Sequence, residues 1–149
     1  MGKFGGVYEA SPWVAEAVWP DPPTTRDAMA AAMRAVVEAA PRERKLALIR
    51  AHPELASRAR MADASVREQA GAGLDQCSAE EFAAFQRLNG AYNARFGFPF
   101  VVAVKGMGRA DILAAFEARL SNEPETEFNA ALAEIHRIAS FRLAELMPE

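Results

Sequence analysis

Apolar residues recur three or four positions apart through most of the chain, which is the spacing of an amphipathic helix. One long stretch of this kind covers residues 82 to 96, and Gly97 follows it as a helix-ending glycine. Clusters of proline and glycine separate the periodic stretches. The pattern predicts an all-α fold of about seven to eight helices, and 149 residues fit a single domain over 1–149.

Capping residues predict where the helices begin. Ser65-x-x-Glu68 and Ser78-x-x-Glu81 both match the capping box, in which a serine and a glutamate satisfy each other's backbone N–H groups. Other predicted starts have a hydroxyl or carboxylate side chain before the helix, or a proline in its first turn. The predicted starts are Ser11, Thr24, Pro41, Ser65, Ser78, Asp111 and about Glu125.

One apolar stretch departs from helical spacing. Residues 98–104 read Phe-Pro-Phe-Val-Val-Ala-Val, a run that is too short for a typical helix. Pro99 argues against a central strand, because proline cannot donate to the hydrogen-bond ladder. The sequence therefore predicts a buried extended segment here.

Composition excludes several classes of function. Apolar residues make up 51% and charged residues 25% of the chain, which is ordinary for a soluble globular protein. The net charge of −3 argues against nucleic acid as a partner, since that usually requires a basic face. No apolar run approaches the ~20 residues of a membrane span. The start lacks a signal-peptide core, and Cys77 is the single cysteine, so we expect a cytoplasmic protein without disulfides.

His52 is the first candidate for chemistry. It precedes Pro53 at a predicted helix end, and the proline disfavours helical geometry at the histidine. An ordinary histidine titrates near pH 6.5 and can therefore donate or accept a proton at neutral pH. The alternative is a structural histidine that the dipole of the helix C-terminus stabilises.

Polar side chains crowd together thirteen positions later, at Ser65, Glu68 and Gln69. The serine and glutamate alone are explained by a capping box. The carboxamide of Gln69 adds a donor and an acceptor, which suits an amide-like or urea-like ligand at a helix N-terminus. A histidine, a carboxylate and an amide in one pocket would be equipped for proton transfer on a polar small molecule.

Arg142 lies on an apolar stripe of the last predicted helix, with Ile135, Ile138 and Leu146. A guanidinium there needs an anionic partner or must extend to water, and it could bind a substrate carboxylate. Metal binding is not predicted, because two histidines and one cysteine lie far apart in the sequence. His136 fits a packing or partly exposed position.

Several short motifs, in order and at fitting intervals, resemble the OHCU decarboxylase family. Members of that family decarboxylate 2-oxo-4-hydroxy-4-carboxy-5-ureidoimidazoline, the last step from urate to (S)-allantoin. The stretches that carry the resemblance are YEASPWV at 8–14, LIRAHPELA at 48–56, EQAGAGL at 68–74, LNGAY at 88–92, FGFPFV at 96–101 and EIHRIASFRL at 134–143.

The resemblance implies an all-helical fold, commonly a homodimer, with no metal and no organic cofactor. It implies His52 as the acid/base beside Pro53. From the chemistry of the reaction, we expect Glu68 to share the proton transfers. It also implies contacts to the substrate from Ser65, Glu68, Gln69, Arg142 and the main chain around Phe100, Val101 and Val102. We expect Phe98 and Phe100 to form apolar walls that exclude water.

Two alternatives remain open on the sequence. One is a non-catalytic helical module, in which His52 and Glu68 are structural and residues 98–104 form a partner surface. The other is a relative of the same family that acts on a different ureido acid.

Overall fold

The computed structural model describes residues 4–56 and 63–147, except for the side chains of residues 63–65. Within these ranges the chain forms seven α-helices, a short 3₁₀ helix at Leu74–Gln76 and no strand, so the predicted all-α fold is confirmed. None of the described helices is both long and apolar enough to cross a bilayer. The α-helices are α1 (Trp13–Val18), α2 (Arg26–Ala39), α3 (Arg42–Ala51), α4 (Asp63–Gly71), α5 (Ala79–Phe96), α6 (Arg109–Leu120) and α7 (Pro124–Leu146).

The chain divides into two compact units. The first unit comprises Met1–His52 together with Leu132–Glu149, and the second comprises Pro53–Ala131. In the first unit, α1 packs against α2, and the buried residues of α2 lie four positions apart at Met29, Met33 and Val37. His52 is therefore the last residue of the first unit's N-terminal stretch.

Aromatic rings fill the core of the second unit. Tyr92 of α5 lies within 6 Å of four phenylalanine rings, at centroid distances of 4.5, 5.9, 5.4 and 5.9 Å for Phe96, Phe98, Phe100 and Phe116. Phe100 stacks on Phe116 at 4.0 Å. Residues 98–104 have neither helix nor strand, and all are buried except the half-buried Val102, so the predicted buried segment is confirmed.

The best-defined helix start is that of α5, where the predicted capping box forms. Ser78 Oγ accepts a hydrogen bond from the backbone N–H of Glu81 at 3.1 Å, and Glu81 Oε1 accepts one from the backbone N–H of Ser78 at 3.0 Å. Gly97 ends the helix with a φ of 78°, a left-handed conformation that glycine adopts without strain.

Four predicted helix starts are wrong by one to three residues. Helix α6 begins at Arg109 in place of Asp111. Helix α4 begins at Asp63, so Ser65 lies inside its first turn instead of capping it. The cap of α2 is Thr25, whose Oγ1 accepts from Ala28 N at 3.2 Å, in place of the neighbouring Thr24. Ser11 Oγ donates to the carbonyl of Glu9, at 2.9 Å, and does not cap α1. Neighbouring residues with similar capping ability make such shifts invisible in the sequence.

Candidate functional site

His52 follows α3 in an extended conformation, with φ −74° and ψ 136°, as Pro53 predicts. Its side chain is 7% exposed, and its Nδ1 lies 3.0 Å from the carbonyl oxygen of Leu48. Because a carbonyl only accepts hydrogen bonds, Nδ1 carries the proton and donates it. The lone pair of the neutral ring then belongs to Nε2, which is the nitrogen that can accept a proton.

Gln69 of α4 contacts the main chain that follows Pro53. Its Oε1 accepts from the backbone N–H of Ala56 at 3.0 Å, and its Nε2 donates to the carbonyl of Glu54 at 3.4 Å. Its neighbour Glu68 is half-buried. The side chain of Ser65 lies outside the described residues, so its predicted contact with substrate stays a prediction.

Arg142 of α7 has an anionic partner within the chain. Its Nη1 lies 2.9 Å from Glu9 Oε1 and donates to the carbonyl of Gly6 at 3.0 Å. Both Arg142 and Glu9 are buried, with exposures of 6% and 4%. Arg142 needs such a partner on the apolar stripe of α7, because burying an unpaired guanidinium is energetically costly. The further role of holding substrate charge stays a prediction.

The predicted apolar walls, Phe98 and Phe100, are buried side chains of the second unit, with exposures of 4% and 1%. The guanidinium of Arg119 lies 4.5 Å from the centre of the Phe100 ring. Its Nη1 also donates to the carbonyl of Val101 at 2.6 Å. The main chain at Val101 is therefore held from α6, while contacts of this segment with substrate stay predictions.

A buried carboxylate that the sequence did not single out anchors Arg119. Glu127 is 0% exposed and lies 2.8 Å from Arg119 Nε. It also accepts from Tyr92 Oη at 2.5 Å and from Asn122 Nδ2 at 2.8 Å. Burial, helped by the adjacent Glu127 carboxylate, raises the pKa of Tyr92 well above its usual range, so the phenol stays a donor. The network links α5, α6 and α7 within residues 92–127.

His136 belongs to a second buried chain of hydrogen bonds, in the first unit. Its Nδ1 lies 2.7 Å from Tyr8 Oη and its Nε2 lies 2.8 Å from Glu38 Oε1. A carboxylate only accepts, so Nε2 carries the proton and Nδ1 accepts from the phenol. Burial lowers the pKa of His136, and the Glu38 carboxylate partly opposes that shift. Tyr8 and His136 line a cavity of about 190 Å³ with Arg34 and Ser140.

A larger cavity, of about 570 Å³, lies in the second unit beside Gln69, Leu74, Cys77 and Phe82. Burial, more than any neighbouring charge, raises the pKa of the Cys77 thiol. A thiol with a raised pKa is largely protonated at neutral pH and is a poor nucleophile. These surroundings do not favour Cys77 as a nucleophile.

The predicted site residues come from both units. His52 and Arg142 belong to the first unit, while Pro53, Ser65, Glu68, Gln69 and the residues from Phe98 to Val102 belong to the second. The prediction that the histidine, the carboxylate and the amide share one pocket stays a prediction. Over residues 4–56 and 63–147, no group of three or more His, Cys, Asp or Glu side chains could hold a metal ion.

Comparison with known proteins gives a consistent result over almost the full chain. A sequence profile described as OHCU decarboxylase matches residues 1–144. The 2-oxo-4-hydroxy-4-carboxy-5-ureidoimidazoline decarboxylase of Haloferax volcanii is 50% identical over 146 residues, covering 97% of this chain and 87% of that protein. The protein of the same name from Mus musculus is 35% identical, covering 97% and 84%. The uric acid degradation bifunctional protein PucL of Bacillus subtilis is 46% identical, covering 98% of this chain and 30% of that protein.

Two solved structures are similar in fold. A crystal structure of (S)-allantoin synthase superposes with a TM-score of 0.78 at 36% identity, covering 97% of this chain and 48% of that one. A crystal structure of OHCU decarboxylase in the presence of (S)-allantoin superposes with a TM-score of 0.83 over 99% of both chains. At 24% identity, the second similarity concerns the fold alone.

Proposed function

This chain belongs to the OHCU decarboxylase family, and we propose that it converts 2-oxo-4-hydroxy-4-carboxy-5-ureidoimidazoline to (S)-allantoin, the last step of urate degradation. The observation that carries the proposal is the 50% identity to a relative of that name, over 87% of the relative's length. The allantoin synthase at 36% identity supports the same product.

The reaction needs proton transfer and charge stabilisation more than an external electron sink. The carboxylate of the substrate sits on a carbon next to a C=N bond. When the carbon–carboxylate bond breaks, CO₂ leaves and the electron pair moves toward that C=N bond. A proton is then added to the ring, and its delivery to one face yields a single enantiomer. The protein must therefore orient the carboxylate out of the ring plane, stabilise the developing negative charge and supply the proton.

His52 is the proposed acid/base of this reaction. The hydrogen bond from Nδ1 to Leu48 supports the assignment, because it fixes the ring and leaves Nε2 as the nitrogen that exchanges a proton. General acid–base catalysis typically contributes ~10²–10⁴-fold to a rate. Glu68, a half-buried carboxylate, is the proposed second group in the proton transfers.

The remaining residues are proposed to bind the substrate. Gln69 already accepts one hydrogen bond through Oε1, and an amide oxygen has a second lone pair, so it can bind a ureido N–H as well. Arg142 is proposed to hold substrate charge. Ser65, Pro53 and the main chain from Phe100 to Val102 are proposed to contact the ureidoimidazoline, with Phe98 and Phe100 excluding water.

We also propose that the protein is a homodimer that works in the cytoplasm without a cofactor. The family resemblance supports the dimer, and the single cysteine fits a reducing compartment. Light scattering coupled to gel filtration would give twice the monomer mass. A monomer at micromolar concentration would contradict the dimer and leave the proposed reaction untouched.

The activity is tested by forming the substrate in solution from urate with urate oxidase and hydroxyisourate hydrolase. Addition of this protein should produce one allantoin enantiomer rapidly, which circular dichroism detects. Slow appearance of racemic allantoin, at the rate seen without the protein, would contradict the proposal and favour the non-catalytic helical module. If the protein converts a different ureido acid and not this substrate, the result would favour a relative of the same family with another substrate.

A further inference from the structure

The main chain that directly follows the His52–Pro53 bond is held by side-chain amides. Residues 53–56 have no helical hydrogen bonds, so their buried polar groups need other partners. Four carboxamide side chains supply them, one from α4 and three from α5, and we call this set the carboxamide clamp. Gln69 accepts from the N–H of Ala56 at 3.0 Å, and Gln86 donates to the carbonyl of Ala56 at 3.5 Å. Asn89 donates to the carbonyl of Leu55 at 3.0 Å, and Asn93 donates to Glu54 Oε2 at 2.7 Å.

Asn89 is the most deeply buried member of the clamp. Its side chain is 3% exposed, and its Nδ2 donates to the carbonyl of Leu55, which is itself 5% exposed. Among the residues that the structure describes, its Oδ1 has no hydrogen-bond partner. An apolar side chain at this position of α5 would remove that unpaired oxygen but would leave the buried Leu55 carbonyl without its donor. The hydrogen bond to the Leu55 carbonyl therefore accounts for an asparagine at this buried position.

Asn93 lies one turn further along α5 and fixes the next side chain. Its Nδ2 donates to Glu54 Oε2 at 2.7 Å, a charge-assisted hydrogen bond to a half-buried carboxylate. The same nitrogen lies 3.2 Å from the carbonyl of Asn89. The two asparagines thus hold adjacent residues of the segment from one face of a single helix.

Ala56 shows that the clamped segment is held in an unfavourable conformation. Its φ is 55°, in the left-handed region where a Cβ is disfavoured. Its N–H donates to Gln69 and its carbonyl accepts from Gln86. A conformation of this kind persists where the surrounding contacts enforce it, and such positions concentrate near functional sites.

We propose that Asn89, supported by Asn93, is a positioning residue for the acid/base His52. The proposal rests on the decarboxylase function through that histidine. On the α3 side, His52 is fixed by its backbone N–H to the carbonyl of Ile49, at 3.1 Å, and by Nδ1 to Leu48. On the other side it is bonded to Pro53, and the clamp fixes the residues after that proline. Loss of the clamp would displace the histidine slightly, which lowers the rate of chemistry more than the affinity for substrate.

The decisive variant is Asn89→Leu, which removes the donor and keeps a side chain of similar size. We expect kcat to fall by roughly tenfold or more, with KM changed less than about twofold. Ile112→Val is the control, because Ile112 is a buried residue of α6 outside the clamp, and its truncation also lowers stability. This control should keep the wild-type kcat.

Two kinetic outcomes would overturn the proposal. They are an unchanged kcat in Asn89→Leu, whatever its KM, and an equal loss of kcat in a control of matched stability. If Asn89→Leu does not fold, Asn93→Ala at the half-buried end of the clamp carries the same test, with a smaller loss of kcat expected.

A second readout does not depend on turnover. The chain has two histidines, so the ring resonances of His52 and His136 are separable by NMR with a His52→Ala reference. In Asn89→Leu the His52 resonances should shift or broaden, while those of His136, held by Tyr8 and Glu38, should not. Unchanged His52 resonances would overturn the positioning role. If the wild type is inactive but the His52 resonances still shift in Asn89→Leu, only the proposed function is contradicted.

Discussion

The two histidines of this chain are held in different ways. His52 donates from Nδ1 to a backbone carbonyl, which orients its ring. His136 has both ring nitrogens engaged, between a phenol and a carboxylate. Two engaged ring nitrogens suit a structural role for His136, while the proton-transfer role of His52 stays a proposal. The sequence ranked His52 first because of Pro53, but it could not predict the partners of His136, since Tyr8 lies 128 positions away.

His136 should make the stability of the protein depend on pH. Burial lowers its folded pKa below the ordinary value of 6.5, so the unfolded chain takes up the proton first as the pH falls. The free energy of unfolding should therefore be highest above pH 6.5 and decrease toward pH 5. Urea titrations across this range measure the effect. His136→Asn should show a shallower decrease, and an equally steep one would contradict the assignment.

At the level of single elements, the sequence predicted the existence of each helix better than its first residue. The capping box of α5 forms as predicted because Ser78 has no competing cap beside it. The similar motif at Ser65 fails as a predictor, because α4 already begins at Asp63. The buried segment at 98–104 was predictable, because its apolar run is too short for a typical helix and Pro99 argues against a central strand.

This difference between two identical motifs gives a direct test. Ser78→Ala should lower the free energy of unfolding by about 1 kcal/mol, because it removes an N-cap side chain. Ser65→Ala should cost less than about 0.5 kcal/mol, since the residue lies within the helix and alanine is a better helix former. Urea unfolding of both variants provides the comparison. Equal losses would contradict the observed start of α4.

The largest energetic effect that we expect in the second unit concerns Glu127. Glu127→Gln removes the charge that faces the largely buried Arg119 guanidinium, so we expect the free energy of unfolding to fall by about 3 kcal/mol. Glu117→Gln is the matched control, because its pair with Arg87 spans 3.9 Å on an exposed surface and should be worth less than about 1 kcal/mol. A small loss in Glu127→Gln would show that the network contributes little.

At the scale of the whole molecule, the interactions that the sequence missed join residues far apart in the chain. The pair of Arg142 and Glu9 and the pair of Tyr92 and Glu127 both bury polar groups whose partners only the fold supplies. The family, in contrast, was predictable, because short motifs spread from residue 8 to residue 143 occur in order. The all-α class was predictable for a simpler reason, since helical spacing depends on local sequence alone.

The central claim is that this chain is a decarboxylase in which His52 exchanges the proton. The most direct test follows circular dichroism as substrate formed from urate is treated with wild type, His52→Ala or His136→Asn, at equal concentrations of folded protein. We predict rapid formation of one allantoin enantiomer by wild type and by His136→Asn, and a loss of at least ~10²-fold in His52→Ala. Wild-type turnover by a folded His52→Ala protein would contradict the account.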